Sequence, residues 1–324
     1  MPPISRRSLL RTALSATFLS PLRSVAIDAS PEPFILDPLW PQLTSEFYPK
    51  PCQISGIAIA KDGALLVLNR GENSWNSATG FEKHLVQKPT VLVVDPVTAK
   101  ITSVWGENTF VLPHQIDVDP LGHIWISDVG RNTITKFDTQ GQKVLELGGP
   151  DIGFKKPTAT GFLSDGSVVI SDGYENSRIV KFSAEGKSVS SWGTKGSGPV
   201  QFKIPHGISV DDEDRIYVAD RENRRVQVLD ANGGLLAIWT NVEQAVSIRY
   251  AGGSIYVLSN LVAVKGTVRR LNKQGEILES FQTFPKSGWE GFETPHGLAV
   301  GDNGETIYVG FVTGKRIQRY RRNN

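Results

Sequence analysis

Three stretches of the chain repeat one phrase, Pro-His-x-apolar-x-Val: VLPHQIDV, KIPHGISV and ETPHGLAV. Their histidines, His114, His206 and His296, are 92 and 90 residues apart, and the whole chain holds only five. Imidazole is the commonest side-chain nitrogen ligand for transition metals. Three imidazoles meeting at one point, with a fourth position open, form the pattern of a catalytic zinc site. Nickel, copper or iron could use the same donors. The pattern means something only if the fold brings residues some ninety positions apart together. His84 and His123 share no such phase and read as ordinary loop residues.

Aligning the chain with itself supplies the fold. IPHGISVDDEDRIYVADRENRRVQVLDANGGLLAIWT matches LPHQIDVDPLGHIWISDVGRNTITKFDTQGQKVLELGG and KPTATGFLSDGSVVISDGYENSRIVKFSAEGKSVSSWG, and TPHGLAVGDNGETIYVGFVTGKRIQRY follows the same order. Two weaker copies start at ISGIAIAKDG and AVSIRYAGG, which makes six units over residues 54–324. Aligned prolines Pro113, Pro157, Pro205 and Pro295 set steps of 44, 48 and, across two units, 90 residues. Each unit contains four short runs rich in Val, Ile, Tyr and Trp, separated by turn phrases such as DPLG, SDG and ANGG. Thirty-two glycines and 19 prolines fit many turns. No stretch sustains a helical period. The expectation is an all-β, six-bladed β-propeller of four-stranded blades. The last unit stops one strand early, so residues about 33–50 (PFILDPLWPQLTSEFYPK) are expected to supply the closing outer strand, because an open sheet edge is a liability.

In such a ring the first strand of each blade lines the central channel. The histidines open the first strands of units 2, 4 and 6, which are alternate blades roughly 120° apart. Units 1, 3 and 5 carry Ser55, Thr158 and Val246 at the same place. The second strand runs antiparallel to the first, so the residues just after it share a mouth with the histidines. These are Arg70 in NRGENSW, Tyr174 in SDGYENSR and Arg221 in ADRENRR.

Composition bounds the rest. Of the 324 residues 39% are apolar and 21% charged, with a formal charge of +2, which suits a folded domain and argues against a nucleic-acid stripe. One cysteine, Cys52, allows no intrachain disulfide. The first 26 residues, MPPISRRSLLRTALSATFLSPLRSVA, have twin arginines Arg6 and Arg7, a soft apolar run and small residues before Ile27. This is the pattern of a twin-arginine export signal, implying a periplasmic or extracellular protein with no stable membrane span in its mature form. Without them Lys plus Arg falls from 35 to 31 against 33 acids, so the working domain is slightly acidic. The expected domains are a signal peptide at 1–26, a segment with the closing strand at 27–53, and the propeller at 54–324.

Over residues 52–324 the chain resembles the peptidyl-α-hydroxyglycine α-amidating lyases, zinc-dependent propellers of NHL-type repeats. NRGENSW, SDGYENSRIVKFS, ADRENRRVQ and the three Pro-His phrases carry the likeness. It implies zinc on His114, His206 and His296, Tyr174 as catalytic base, and Arg70 and Arg221 as catalytic or substrate-binding groups. The implied reaction splits an N-acyl- or peptidyl-α-hydroxyglycine into an amide and glyoxylate, so the expected partner is a small molecule or peptide bearing a carboxylate. The resemblance also implies a structural calcium on the main-chain carbonyls of Ile57 and Ile116 and on an Asp directly after the third histidine. That last position is Gly297 here. From the residues alone, a non-catalytic NHL scaffold and a related propeller lyase or lactonase stay open as alternatives.

Overall fold

The computed structural model describes residues 32–37, 40, 53–76, 80–260, 266–283, 294–313 and 316–323. The expected export signal at 1–26 and residues 41–50 of the expected closing stretch lie outside them.

Six four-stranded antiparallel sheets form the blades. Blade 1 comprises 54–59, 65–69, 91–94 and 101–105, and blade 2 comprises 113–118, 124–128, 133–137 and 143–147. Blade 3 holds 159–162, 168–172, 178–182 and 188–192; blade 4 holds 205–210, 216–220, 225–229 and 235–239. Blade 5 holds 245–251, 254–260, 266–271 and 277–282. Blade 6 takes its three inner strands, 295–301, 306–311 and 316–322, from the C-terminus. Its outer strand is Phe34–Leu36, with Phe34 opposite Arg322 and Leu36 opposite Tyr320. Arg319 fastens this strand by donating to the buried Asp37 at 2.6 Å. Among the described residues no helix is long and apolar enough to cross a membrane.

First strands touch one another in chain order, and that of blade 6 returns to that of blade 1. Each blade is thus sandwiched between two others, which explains its sequence. Second strands such as Leu65–Asn69 and Ile216–Asp220 are buried throughout and read as unbroken apolar runs. Fourth strands such as Ser188–Trp192 are largely exposed and polar. Six interblade cores result. Ala58, Leu66 and Leu68 of blade 1 meet Ile116, Ile126 and Phe137 of blade 2. Val246 and Leu258 of blade 5 meet Leu298, Val309 and Tyr320 of blade 6, with Phe34 packed between them.

Candidate metal centre

Each histidine is the second residue of its blade's first strand, and there the register slips. Pro113 lies opposite Asp128 and Gln115 opposite Ser127, leaving His114 as the extra residue of a bulge. The same slip brackets His206, between Pro205 and Gly207, and His296, between Pro295 and Gly297. A bulge frees one side chain from the pleat and re-aims it. The three rings consequently converge, with centroids 4.7, 4.8 and 5.0 Å apart, all buried. The backbones must come close for this. A Cβ at Gly207 would lie 3.1 Å from Ser247 Cα and Ile248 N of the next blade.

The non-histidine blades complete the ring. Nδ1 of His114 faces the Thr158 carbonyl at 2.9 Å, that of His206 the Val246 carbonyl at 2.7 Å, and that of His296 the Ser55 carbonyl at 2.6 Å. A carbonyl can only accept, so each Nδ1 carries the proton and each Nε2 keeps its lone pair. Burial, followed by the neighbouring histidines and guanidinium groups, holds His114 and His206 well below the usual imidazole range. Burial and then Arg70 bring His296 down to about 3. All three are therefore neutral, the form that binds metals.

Tyr174 Oη lies 3.1 Å from His114 Nε2 and 3.0 Å from His206 Nε2. One hydroxyl hydrogen can serve only one of those lone pairs. Three inward lone pairs with a single proton among them are a donor set for an electron-poor atom. The residues present fit a metal ion held by His114, His206 and His296.

The mouth residues gather as their strand-end positions require. Tyr174 follows the second strand of blade 3 and stands edge-on to His114 and His206 at 5.4 and 5.5 Å between centroids. Its ring packs on Trp75 at 4.7 Å, and the Arg221 guanidinium carbon lies 5.4 Å from its centroid. Arg221 opens a short 3-10 turn and pairs with Glu222 at 2.9 Å. Arg70 is buried; its Nε donates to the Pro113 carbonyl at 3.2 Å and its Nη1 to Gln53 Oε1. Burial lowers its guanidinium to about 10, against the favourable fields of Tyr174 and Asp128.

Sequence reasoning missed three neighbours. Trp75 and Phe81 belong to a small hairpin, 75–76 with 80–81, inserted after the second strand of blade 1. Lys156 pairs with Glu175, directly after Tyr174, at 2.6 Å and lies 5.7 Å from the Trp75 ring centroid. The insertion's length was the available signal, since blade 1 has 21 residues between its second and third strands where the other blades have a few. The repeated phrases also hide structural arginines. Arg178 and Arg225 pair with the buried Asp172 and Asp220 at 2.9 and 2.7 Å and support their loops. His84 is an exposed loop residue, and His123 closes a turn on Asp119.

Two residues past His114, His296 and Val246 stand Ile116, Leu298 and Ile248, whose carbonyls gather around one side chain; Ile57 holds the same place in blade 1. A guanidinium already serves this level. Arg249 Nε donates to the Leu298 carbonyl at 3.0 Å, Nη1 to that of Ile248 at 3.1 Å, and Nη2 approaches that of Ile116 at 3.5 Å. Nη2 also pairs with Asp117 at 2.9 Å, and the other Asp117 oxygen accepts from Thr160 N and Oγ1. At Gly297 a Cβ would lie only 3.1–3.2 Å from Ile57 and Gly56, which leaves little room for an Asp. These residues do not fit a calcium ion.

Six four-stranded antiparallel blades, alternate ones opened by a bulged histidine, make a six-bladed propeller with an axial imidazole site. The NHL repeat family model matches residues 110–137 and 202–229, in blades 2 and 4. The chain is 31% identical over 281 residues to peptidyl-alpha-hydroxyglycine alpha-amidating lyase 2 of Drosophila melanogaster, covering 79% of this chain and 68% of that protein. It is also 31% identical over 301 residues to peptidyl-glycine alpha-amidating monooxygenase B of Xenopus laevis, where 83% of this chain spans 34% of that longer protein. A streptogramin B lyase structure shares the fold, with a TM-score of 0.58, 16% identity and coverage of 90% and 98% of the two chains. The chain belongs to the peptidyl-α-hydroxyglycine α-amidating lyase family.

Proposed function

We propose that the protein is a zinc-dependent carbon–nitrogen lyase that converts an N-acyl- or peptidyl-α-hydroxyglycine into the corresponding amide and glyoxylate. The observation that carries this reading is the Tyr174 hydroxyl, 3.0 and 3.1 Å from the Nε2 atoms of two neutral histidines that face a third. Zinc, when bound by His114, His206 and His296, supplies a Lewis acid for the negative charge that develops on the substrate oxygen.

The chain's own residues do the rest. Tyr174 takes the proton of the substrate α-hydroxyl. Starting as the phenolate, Tyr174 holds that proton while the carbon–oxygen bond gains its second pair and the carbon–nitrogen bond breaks with its pair going to nitrogen. The same proton then passes to the departing amide nitrogen and returns Tyr174 to its starting form, so atoms and charge balance. Arg70 holds the substrate carboxylate through a charge-assisted pair. Arg221, over the Tyr174 ring, adds a second positive charge beside the reacting oxygen. The buried walls exclude water, which strengthens each of these interactions. Residues 1–26 act as a twin-arginine export signal, so the enzyme works outside the cytoplasm.

The test is glyoxylate release from α-hydroxyhippurate by the zinc-loaded chain. Turnover that disappears on chelation and returns with zinc supports the proposal. No glyoxylate from folded, zinc-loaded protein overturns it, and absence of stoichiometric metal favours a binding scaffold.

A further inference from the structure

We propose that Gln53 is a positioning residue that keeps Arg70 electrically open, so that the anion completing its ion pair must be the ligand's carboxylate. This rests on the lyase reading above for the identity of the ligand, but not for the anion site itself.

Three other buried or half-buried arginines among the described residues are paired with carboxylates. Arg225 has Asp220 at 2.7 Å, Arg319 has Asp37 at 2.6 Å and Arg249 has Asp117 at 2.9 Å. Arg70 is as buried as any of them, yet its bonds go to neutral acceptors, the Pro113 carbonyl and the Gln53 amide oxygen. Its Nη2 has no partner among the described residues. Asp128 acts on it only through space, because its carboxylate is engaged by the backbone N–H groups of Val111, Leu112, Gly130 and Arg131. An isolated buried charge is costly unless a counter-charge arrives.

Gln53 is itself held. Its side-chain oxygen also accepts from Trp75 N at 3.2 Å, and its carbonyl accepts from Arg70 N at 3.1 Å. It therefore ties Arg70 to the hairpin carrying Trp75, which packs on Tyr174. The other anchor, the Pro113 carbonyl, belongs to the residue before His114. The free edge of the guanidinium is fixed relative to both the tyrosine and the histidines. Glutamate has the same shape as glutamine and would make a buried ion pair here. Glutamine forgoes that stability and leaves the charge to an incoming carboxylate. Ligands lacking the carboxylate should be rejected, since nothing else would compensate Arg70.

The experiment measures binding of hippurate, an inert carboxylate lacking the reactive hydroxyl, to the zinc-loaded full chain by calorimetry, with benzamide as neutral control. Gln53→Glu should weaken hippurate at least about tenfold, the scale of a hydrogen bond to a charged group, while raising the melting temperature. Gln53→Met removes the acceptor but not the free charge. It should lower the melting temperature and, through the lost anchor, weaken hippurate only about threefold, still far tighter than in the Glu variant. A merely structural role would move stability and affinity in the same direction. Unchanged hippurate binding in Gln53→Glu, a lower melting temperature for that variant, or wild-type protein binding hippurate no better than benzamide overturns the proposal. Glyoxylate release from α-hydroxyhippurate is scored separately. Its absence alongside Gln53-sensitive hippurate binding sinks the lyase reading and leaves the anion site standing.

Discussion

Tyr174→Phe separates catalysis from architecture, because the substitution deletes one oxygen and keeps the ring. The ring's contacts with Trp75, His114, His206 and Arg221 should persist. What is lost is the hydroxyl's bonding to two Nε2 atoms. A single hydroxyl hydrogen makes one donated bond, worth about 1 kcal/mol net. In zinc-loaded protein the metal takes those lone pairs, so even this loss should largely vanish. A penalty of ~1 kcal/mol corresponds to a melting shift of about 2–4 °C for a domain of this size, and the loaded variant should shift by less. Removal of a general base, in contrast, typically lowers turnover about 10²–10⁴-fold, or ~2.7–5.5 kcal/mol of transition-state stabilisation. The assay is initial-rate glyoxylate release, with zinc content by elemental analysis and melting by calorimetry on the same preparation. Turnover within about threefold of wild type, against the 10²-fold minimum expected of a base, refutes the assignment. Loss of zinc together with turnover refutes it too, since Tyr174 would then be supporting the metal.

Replacing His114, His206 or His296 singly by Ala should reduce bound zinc from stoichiometric to a small residue after dialysis, because each supplies one of three ligands; full retention in all three places the metal elsewhere. Chelators and added calcium should leave the wild-type melting temperature unchanged once zinc is restored, since Arg249 serves the carbonyl level beneath the histidines. Arg249→Met should cost about 3 kcal/mol by leaving Asp117 buried without its ion-pair partner; a wild-type protein stabilised by calcium over several degrees contradicts the first statement, and an unchanged melting temperature in Arg249→Met the second. A chain with Arg6 and Arg7 changed to Lys should accumulate unprocessed inside the cell, and unaltered export would exclude the twin-arginine route.

The repeat was legible because a propeller is written one blade at a time. Each second strand is buried on both faces by its neighbours, so the apolar runs recur with the blade period, and the histidines share one phase of it. The convergence of His114, His206 and His296, and the nearness of Arg70, Tyr174 and Arg221, follow from that phase and from closure of the ring. The strand Phe34–Leu36 was legible for the same reason, as the one place left unfilled in blade 6.

The sequence alone could not supply what depends on exact approach between distant segments. The bulge that turns each histidine inward is a one-residue slip with no composition of its own. The carbonyl that fixes the His296 tautomer comes from Ser55, 241 residues away. Ser55, Thr158 and Val246 have no one side chain in common, because it is their backbone carbonyls that face the histidines. Nor does any residue type distinguish Arg70, held by neutral partners, from Arg225, neutralised by Asp220. Periodicity determined which residues meet. Tertiary structure decided which lone pairs are free and which charges are unpaired, because hydrogen-bond partners are set by distances of a few tenths of an ångström that no repeat encodes.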